Sequence, residues 1–147
     1  MIGKIKHCMV WLSMQDESKT YEVKEYHEKR SNNANSYYWV LLTQLAGILR
    51  TSNEEAHFNI IKNYSKMYLV NLPEDVNPKH IFKYYEEFKK GTIKGNPVIQ
   101  YKVYQPSSEM NTKEFSRLLD GLISECKELG IETKTPDQLR ELEGYEK

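Results

Sequence analysis

Lysine and tyrosine side chains are interleaved through the middle of the chain. The lysines are Lys62, Lys66, Lys79, Lys83, Lys89, Lys90, Lys94 and Lys102, and the tyrosines are Tyr64, Tyr68, Tyr84, Tyr85, Tyr101 and Tyr104. Ammonium groups can follow the phosphates of a nucleic acid, while aromatic rings stack on unpaired bases. The segment therefore suits a single-stranded nucleic acid, although the same residue types also occur in strands and helices that bind nothing.

The charge distribution favours the same segment. Lysine plus arginine and aspartate plus glutamate both total 21, so the net charge of the whole chain indicates no nucleic-acid partner. Residues 60–104, however, hold eight basic and four acidic side chains, whereas residues 105–147 hold six basic and ten acidic ones. Positive charge is thus concentrated where the tyrosines are.

No local arrangement of side chains indicates catalysis. The four histidines form no His-x-x-x-His pair, and the sequence contains no glycine-rich phosphate loop. The acidic pairs Asp16-Glu17, Glu54-Glu55 and Glu86-Glu87 fall in a predicted turn, at a helix start and on a helix surface, where carboxylates are usually solvated or capping. We therefore predict no catalytic residue, metal ligand or cofactor, although carboxylates distant in sequence could still assemble a divalent-metal nuclease site.

Length and composition predict one domain over residues 1–147, because 147 residues with 39% hydrophobic content suffice for one ordinary core. The two cysteines, Cys8 and Cys126, indicate a reduced chain in the cytoplasm. No apolar run approaches the roughly 20 residues of a membrane helix, and the N-terminus lacks the features of a secretory signal. We expect a soluble, cytoplasmic protein with no membrane partner.

The N-terminal third predicts a hairpin followed by two helices. Residues 2–14 mix β-branched, aromatic and apolar types, residues 21–29 alternate apolar and charged types, and the stretch between them is polar, which predicts two strands. Apolar residues then recur at helical spacing over residues 31–50. Ser52 and Glu55 form a capping box that begins the second helix, whose inner face would include Phe58 and Ile61.

The middle of the chain predicts a short strand and another helix. Residues 67–72 have strand-like composition, and Pro73 ends them. Asn77-Pro78 has the form of an N-cap with proline at the first helical position. The helix that it begins would turn four residues inward, namely Ile81, Phe82, Tyr85 and Phe88.

The C-terminal part predicts a strand over residues 98–104 and a long helix over 111–130, which a capping box of Asn111 and Glu114 begins. A short last helix begins at Thr135-Pro136. Together these elements predict an α+β domain, in which the two long amphipathic helices pack on a small, mainly antiparallel sheet. The predicted strands of that sheet lie near residues 3–14, 21–29 and 98–104.

Two motifs stand at predicted helix starts and follow strand-like runs. The first contains Ser31, Asn35, Tyr38 and Trp39, and the second contains Ser107, Met110 and Phe115. Their order resembles the phage NinB/Orf family of recombination proteins, in which Ser-x-x-x-Asn precedes an aromatic pair and a later Ser-x-x-Met precedes a phenylalanine-containing helix. The resemblance covers roughly residues 25–50 and 98–140.

The resemblance implies an α+β homodimer that binds single-stranded DNA. It also implies a recombination mediator, which assists loading of a recombinase on DNA coated by the host single-strand-binding protein. The chain departs from the family in lacking much of the usual N-terminal helix and in having an acidic tail. We therefore expect DNA on the middle segment and just ahead of the first motif, at Lys29, Arg30, Lys62, Lys66, Lys83, Tyr84, Lys89, Lys90, Lys94 and Lys102.

The roles of two motif residues have alternatives. Asn35 could bond a loop backbone and Trp39 could complete the core, or Trp39 could lie on a rim that meets DNA or a second subunit. Trp11 and Trp39 are the expected aromatic residues of a dimer interface. Two other functions stay open at this point: a metal-dependent, structure-specific phage nuclease, and a non-enzymatic protein that docks host factors.

Overall fold

A computed structural model describes residues 1–25 and 32–146, apart from the side chain of residue 32. In these ranges the chain belongs to the α+β class, with five α-helices and a three-stranded antiparallel sheet. The helices are α1 (Ile5–Ser13), α2 (Asn32–Leu49), α3 (Asn53–Tyr64), α4 (Thr112–Glu128) and α5 (Pro136–Arg140). The strands are β1 (Met67–Pro73), β2 (Tyr84–Ile93) and β3 (Asn96–Tyr104), and 3₁₀ turns occupy Pro78–His80 and Ser107–Glu109.

Helices α2, α3 and α4 enclose the core. The apolar face of α4 is fully buried at Phe115, Leu118, Leu119, Leu122 and Cys126. The capping box predicted for this helix is present: the Asn111 side chain accepts from the amide of Glu114, whose carboxylate accepts from the amide of Asn111. The predicted helix starts after Ser52 and Thr135 are confirmed as well.

Strand β3 lies in the centre of the sheet and pairs with β1 on one side and β2 on the other. Tyr104 belongs to the helical core, and Tyr84 lies opposite it on β2. Because side chains alternate along a strand, Glu86 and Lys102 lie on this same face, which we call the helix-side face. Tyr85, Tyr101 and Val103 point to the opposite face, called the far face.

A β-bulge interrupts β2 at Phe88. The pairing of β2 with β3 shifts its register between Glu87 and Lys89, so Phe88 is an extra residue. After the shift Lys89 lies opposite Gln100 and therefore returns to the helix-side face, while Lys90 lies opposite Ile99 on the far face. The Phe88 ring lies on the helix-side face as well, because Nζ of Lys102 is 4.8 Å from its centroid.

The helix predicted to carry Ile81, Phe82, Tyr85 and Phe88 is wrong, because Tyr84–Ile93 forms β2 instead. Asn77 does cap the next residues, but only as a 3₁₀ turn. The bulge breaks the alternation of apolar and polar residues that is typical of a strand. The apolar residues are therefore spaced as they would be in a helix. Pairing along β3 decides the conformation, since strand formation depends on cross-strand contacts more than on local sequence.

The predicted N-terminal hairpin is also wrong. Residues 3–14 contain α1, in which Ile5, Met9 and Leu12 recur at helical spacing, and residues 21–25 have no regular secondary structure. The rest of the second predicted strand, together with Ser31, lies outside the described residues. The sheet is therefore built from β1, β2 and β3. Within the described parts of the chain, no helix is long and apolar enough to cross a membrane.

Candidate nucleic-acid interface

A continuous row of aromatic and charged side chains runs from α2 across α3 to the helix-side face of the sheet. Each member contacts the next, or lies beside it across paired strands. We call this row the aromatic–lysine strip, and its members are Trp39, His57, Phe58, Lys62, Lys83, Tyr84, Glu86, Phe88, Lys89 and Lys102.

The helical end of the strip is a cluster of rings. The Trp39 ring lies 4.8 Å from that of His57, and the His57 ring lies 5.7 Å from that of Tyr84. Tyr84 in turn stacks on Phe58 at a centroid distance of 5.4 Å and an angle of 26°. Beneath them, the hydroxyl of buried Tyr38 shares a 2.7 Å hydrogen bond with His57 Nδ1. This bond connects α2 to α3 and fixes the base of the cluster.

Burial keeps these groups uncharged. It lowers the pKa of His57 to about 4, and the nearby positive charge of Lys83 acts in the same direction. Burial also raises the pKa of Tyr38 and of Tyr84. The rings at this end are therefore neutral at physiological pH, and its positive charge comes from Lys83, whose Nζ lies 5.5 Å from the Tyr84 ring.

Glu86 connects the helical end to the sheet end. Its carboxylate accepts a 2.9 Å hydrogen bond from the Tyr104 hydroxyl and lies 3.5 Å from Nζ of Lys62. Lys62 Nζ also lies 4.8 Å from the centroid of the Phe58 ring. Lys102, the neighbour of Glu86 across the strands, continues the strip toward the bulge.

The sheet end is an exposed ring between two lysines. Nζ of Lys102 lies 4.8 Å from the centroid of the Phe88 ring, and Nζ of Lys89 lies 5.8 Å from it. Phe88 is 47% exposed, and Trp39 at the other end of the strip is 38% exposed. The strip therefore has one accessible ring at each end and four lysines along its length.

This arrangement matches the chemistry that binds single-stranded nucleic acid. Exposed rings can stack on unpaired bases, and the ammonium groups beside them can contact the phosphates that join those bases. Tyr84 contributes less exposed ring surface than predicted, because it is half-buried against Phe58 and His57. Glu86 is the one acidic member of the strip, and it already contacts Lys62.

The structure brings together five of the ten predicted DNA-binding residues: Lys62, Lys83, Tyr84, Lys89 and Lys102. Lys66 lies elsewhere and forms a 2.8 Å ion pair with Glu114, which raises the pKa of Lys66. Lys90 is on the far face, 4.0 Å from Glu87, and Lys94 is in the turn between β2 and β3. Lys29 and Arg30 lie outside the described residues.

Most residues of the two motifs belong to the interior. Tyr38, Met110 and Phe115 are buried in the core, and Asn35 is half-buried. Ser107 begins the 3₁₀ turn, whereas Asn111 caps α4. Trp39 is exposed enough to lie on a rim. Trp11, the other predicted interface residue, is 37% exposed on α1, and its ring contacts Tyr21 edge-on.

Sequence reasoning missed four members of the strip: His57, Phe58, Glu86 and Phe88. His57 appeared as a scattered histidine, and Phe58 and Phe88 as inward-facing helical residues. A strand prediction for residues 84–93 would have placed Glu86 and Lys102 on one face. The position of Phe88 depends on the bulge, which has no signal in the local sequence.

Within residues 1–25 and 32–146, no group of three or more histidine, cysteine, aspartate or glutamate side chains is placed to hold a metal ion. A cavity beside Tyr64, Lys66, Gln105 and Glu114 has a volume of about 30 Å³, which leaves room for a water molecule or two. Comparison of the chain with protein-family models, curated proteins and solved structures found no match.

Proposed function

We propose that this chain binds single-stranded DNA along the aromatic–lysine strip. The observation that carries the proposal is the continuity of the strip, in which four lysines and two exposed rings share one surface. Stacking on Phe88 and Trp39 requires exposed base faces, which a duplex hides, so single strands should bind better than duplex. Lysines contact phosphates regardless of sequence, and binding should therefore show little sequence preference.

The biological role that we propose is that of a phage recombination mediator. The chain would act in the cytoplasm of the host cell on DNA coated by the host single-strand-binding protein, and would assist loading of a recombinase. The resemblance of the two motifs to the NinB/Orf family supports this role. The strip supports its DNA-binding step.

Neighbouring residues on β2 provide a matched pair of variants. Lys89 is on the helix-side face beside Phe88, and Lys90 is on the far face beside Glu87. Lys89→Glu and Lys90→Glu make the same charge change at adjacent exposed positions of one strand. Fluorescence anisotropy with a labelled oligonucleotide should show weaker binding for Lys89→Glu and nearly unchanged binding for Lys90→Glu.

The salt dependence gives a second measurement. If the four lysines of the strip each neutralise one phosphate, log K should fall against log salt with a slope of roughly −3, from about 0.7 per phosphate on a single strand. Lys89→Glu should flatten this slope by about 0.7 or more. Phe88→Ala should leave the slope unchanged and weaken binding by about 1–3 kcal/mol, the usual contribution of one stacked base.

Three results would argue against the proposal. Equal effects of Lys89→Glu and Lys90→Glu would show that the strip is not the binding surface. Absence of binding at low salt would favour a protein that only docks host factors. Cleavage of branched or single-stranded DNA in the presence of Mg²⁺ or Mn²⁺ would favour a nuclease.

A further inference from the structure

The two edges of the sheet differ in how well they are protected against pairing with another strand. The edge strand β2 carries the bulge at Phe88 and the adjacent lysines Lys89 and Lys90. Bulges and lysines are common devices that prevent strand addition. The edge strand β1 has no bulge and no charged residue from Met67 to Pro73. Pro73, which has no amide hydrogen, ends β1, but within residues 1–25 and 32–146 no strand pairs with the outer edge of β1. It is therefore the less protected edge.

The backbone groups that face this free edge follow from two hydrogen bonds. The amide of Gln105 donates to the carbonyl of Lys66, and the amide of Glu74 donates to the carbonyl of Pro97. In an antiparallel pair the residues that bond to the neighbour alternate, so the even-numbered residues from 66 to 74 face β3. The amides and carbonyls of Met67, Leu69 and Asn71 consequently point away from β3.

We infer that two copies of this chain pair through their β1 strands, which run antiparallel about a two-fold axis at Val70. In this register Leu69 of one copy lies opposite Asn71 of the other, and the two Val70 residues meet on the axis. The outward amides and carbonyls of Leu69 and Asn71 then bond reciprocally. The result is a continuous six-stranded sheet.

Charge and side-chain type favour a second copy in this register. Antiparallel pairing about Val70 places Lys66 of each copy opposite Glu74 of the other. The side chain of Lys66 is 57% exposed although its Nζ contacts Glu114, which leaves it accessible to a second carboxylate. On the far face Tyr68 lies opposite Leu72, and both are apolar. The β1 edge is therefore complementary to itself, which a two-fold interface requires.

The exposure of β1 supports the same pairing. Met67, Tyr68 and Leu69 are consecutive residues that point to alternate faces, and each is about half exposed. Such an uninterrupted apolar edge is rarely left uncovered in a soluble protein. A second β1 strand would cover the backbone of all three residues and part of their side chains.

Pairing at β1 would also join the two DNA sites, a consequence that rests on the proposed function. In a continuous antiparallel sheet the helix-side faces of both copies lie on the same side. The two β2 strands would then stand five strand spacings apart, roughly 24 Å from a spacing of about 4.8 Å. The inference about β1 itself does not require DNA binding and is tested without DNA.

Disulfide trapping tests the register directly. Residues that meet on the axis in a non-hydrogen-bonded pair have Cα atoms about 4.5 Å apart, within the range that a disulfide spans. Val70→Cys in a Cys8→Ser background should therefore form a covalent dimer under mild oxidation. Leu72→Cys is the matched control, because Val70 and Leu72 are both half-buried on the far face of β1. The two copies of residue 72 would lie roughly 13 Å apart, from about 3.3 Å per residue.

Light scattering tests the dimer without oxidation. The wild-type chain should have a mass of twice 17.4 kDa at micromolar concentrations. Leu69→Pro removes an outward amide without removing a bond to β3, and an edge strand tolerates proline at such a position. It should weaken dimerisation at least tenfold, whereas Leu69→Val, which keeps the amide, should not.

A wild-type mass of 17.4 kDa at about 100 μM, roughly tenfold above the dissociation constant of a weak dimer, would overturn the inference. Crosslinking of Leu72→Cys as fast as that of Val70→Cys would overturn the register. Circular dichroism would show whether Leu69→Pro still folds, and the crosslinking result stands if it does not.

Discussion

The buried imidazole of His57 should make the stability of this fold depend on pH. His57 is only 4% exposed, its Nδ1 shares a hydrogen bond with the Tyr38 hydroxyl, and the rings of Trp39 and Tyr84 flank it. Burial lowers its pKa from 6.5 to about 4, with Lys83 as the second cause. As the pH falls, His57 therefore gains a proton in the unfolded chain at a higher pH than in the folded protein.

The size of the effect follows from this pKa shift. Between pH 6.5 and about pH 4 the unfolded state binds one more proton than the folded state, so the free energy of unfolding falls as the pH falls. The stabilisation is fully present above pH 6.5 and is lost by about pH 4. At about 1.4 kcal/mol per pKa unit, the total loss from His57 reaches about 3 kcal/mol.

The measurement is urea denaturation of the wild type and of His57→Asn, above pH 6.5 and at about pH 4. Asparagine places a side-chain amide near the position of Nδ1 but does not titrate. Carboxylates titrate in both proteins, so their contribution to the pH dependence of the free energy of unfolding cancels in the comparison. The wild type should lose about 3 kcal/mol more than the variant over this range. Equal losses in the two proteins would refute the argument that His57 is held neutral by burial.

Two further predictions concern the packing of α4. Leu119→Asp should abolish cooperative unfolding in a circular dichroism melt, because it places an unpaired charge in the core, whereas Ser124→Asp on the exposed side of the same helix should not. Gly121→Ala should lower the free energy of unfolding by about 1–3 kcal/mol in urea, since a Cβ there would overlap the Tyr64 ring. Gly47→Ala in α2, where nothing lies within 4 Å of the added Cβ, should instead raise the free energy of unfolding by up to about 1 kcal/mol. A change of the same sign in the two glycine variants would contradict this reasoning.

The helices around the core could be predicted from sequence because their signals are local. The capping box of Asn111 and Glu114, followed by apolar residues at helical spacing, determines where α4 begins and which face it buries. Ser52 and Thr135 mark α3 and α5 in the same way. In each case the residues that decide the conformation lie within one or two turns of each other.

The errors occur where distant residues decide the conformation. Residues 84–93 form a strand because β3 lies beside them, and the bulge at Phe88 disguises their alternation. In α1 the apolar residues fit both the periodicity of a strand and that of a helix, and no residue of α1 is buried. Local composition could not distinguish a strand from a helix at either place.

The candidate site was predictable by residue type but not by position. Composition alone indicated that the lysines and tyrosines of the middle segment suit a nucleic acid, although such residues also occur in elements that bind nothing. Of those tyrosines, Tyr84 alone belongs to the strip. Which lysines share it depends on the face of each strand, and the bulge places Lys89 and Lys90 on opposite faces. A prediction that treated the two lysines as equivalent could not identify the strip.

The bulge at Phe88 also connects the two proposed surfaces. It directs Lys89 toward the helix-side face, where the Phe88 ring contacts Lys102, and it makes the β2 edge a poor template for another strand. Strand β1, at the opposite edge, has neither a bulge nor a lysine within its length, and the amides of Met67, Leu69 and Asn71 point outward. Under the two proposals, this one irregularity would favour DNA on the side of β2 and a second copy on the side of β1. Because β3 separates the two edges, DNA on the strip would not compete with pairing of the β1 strands.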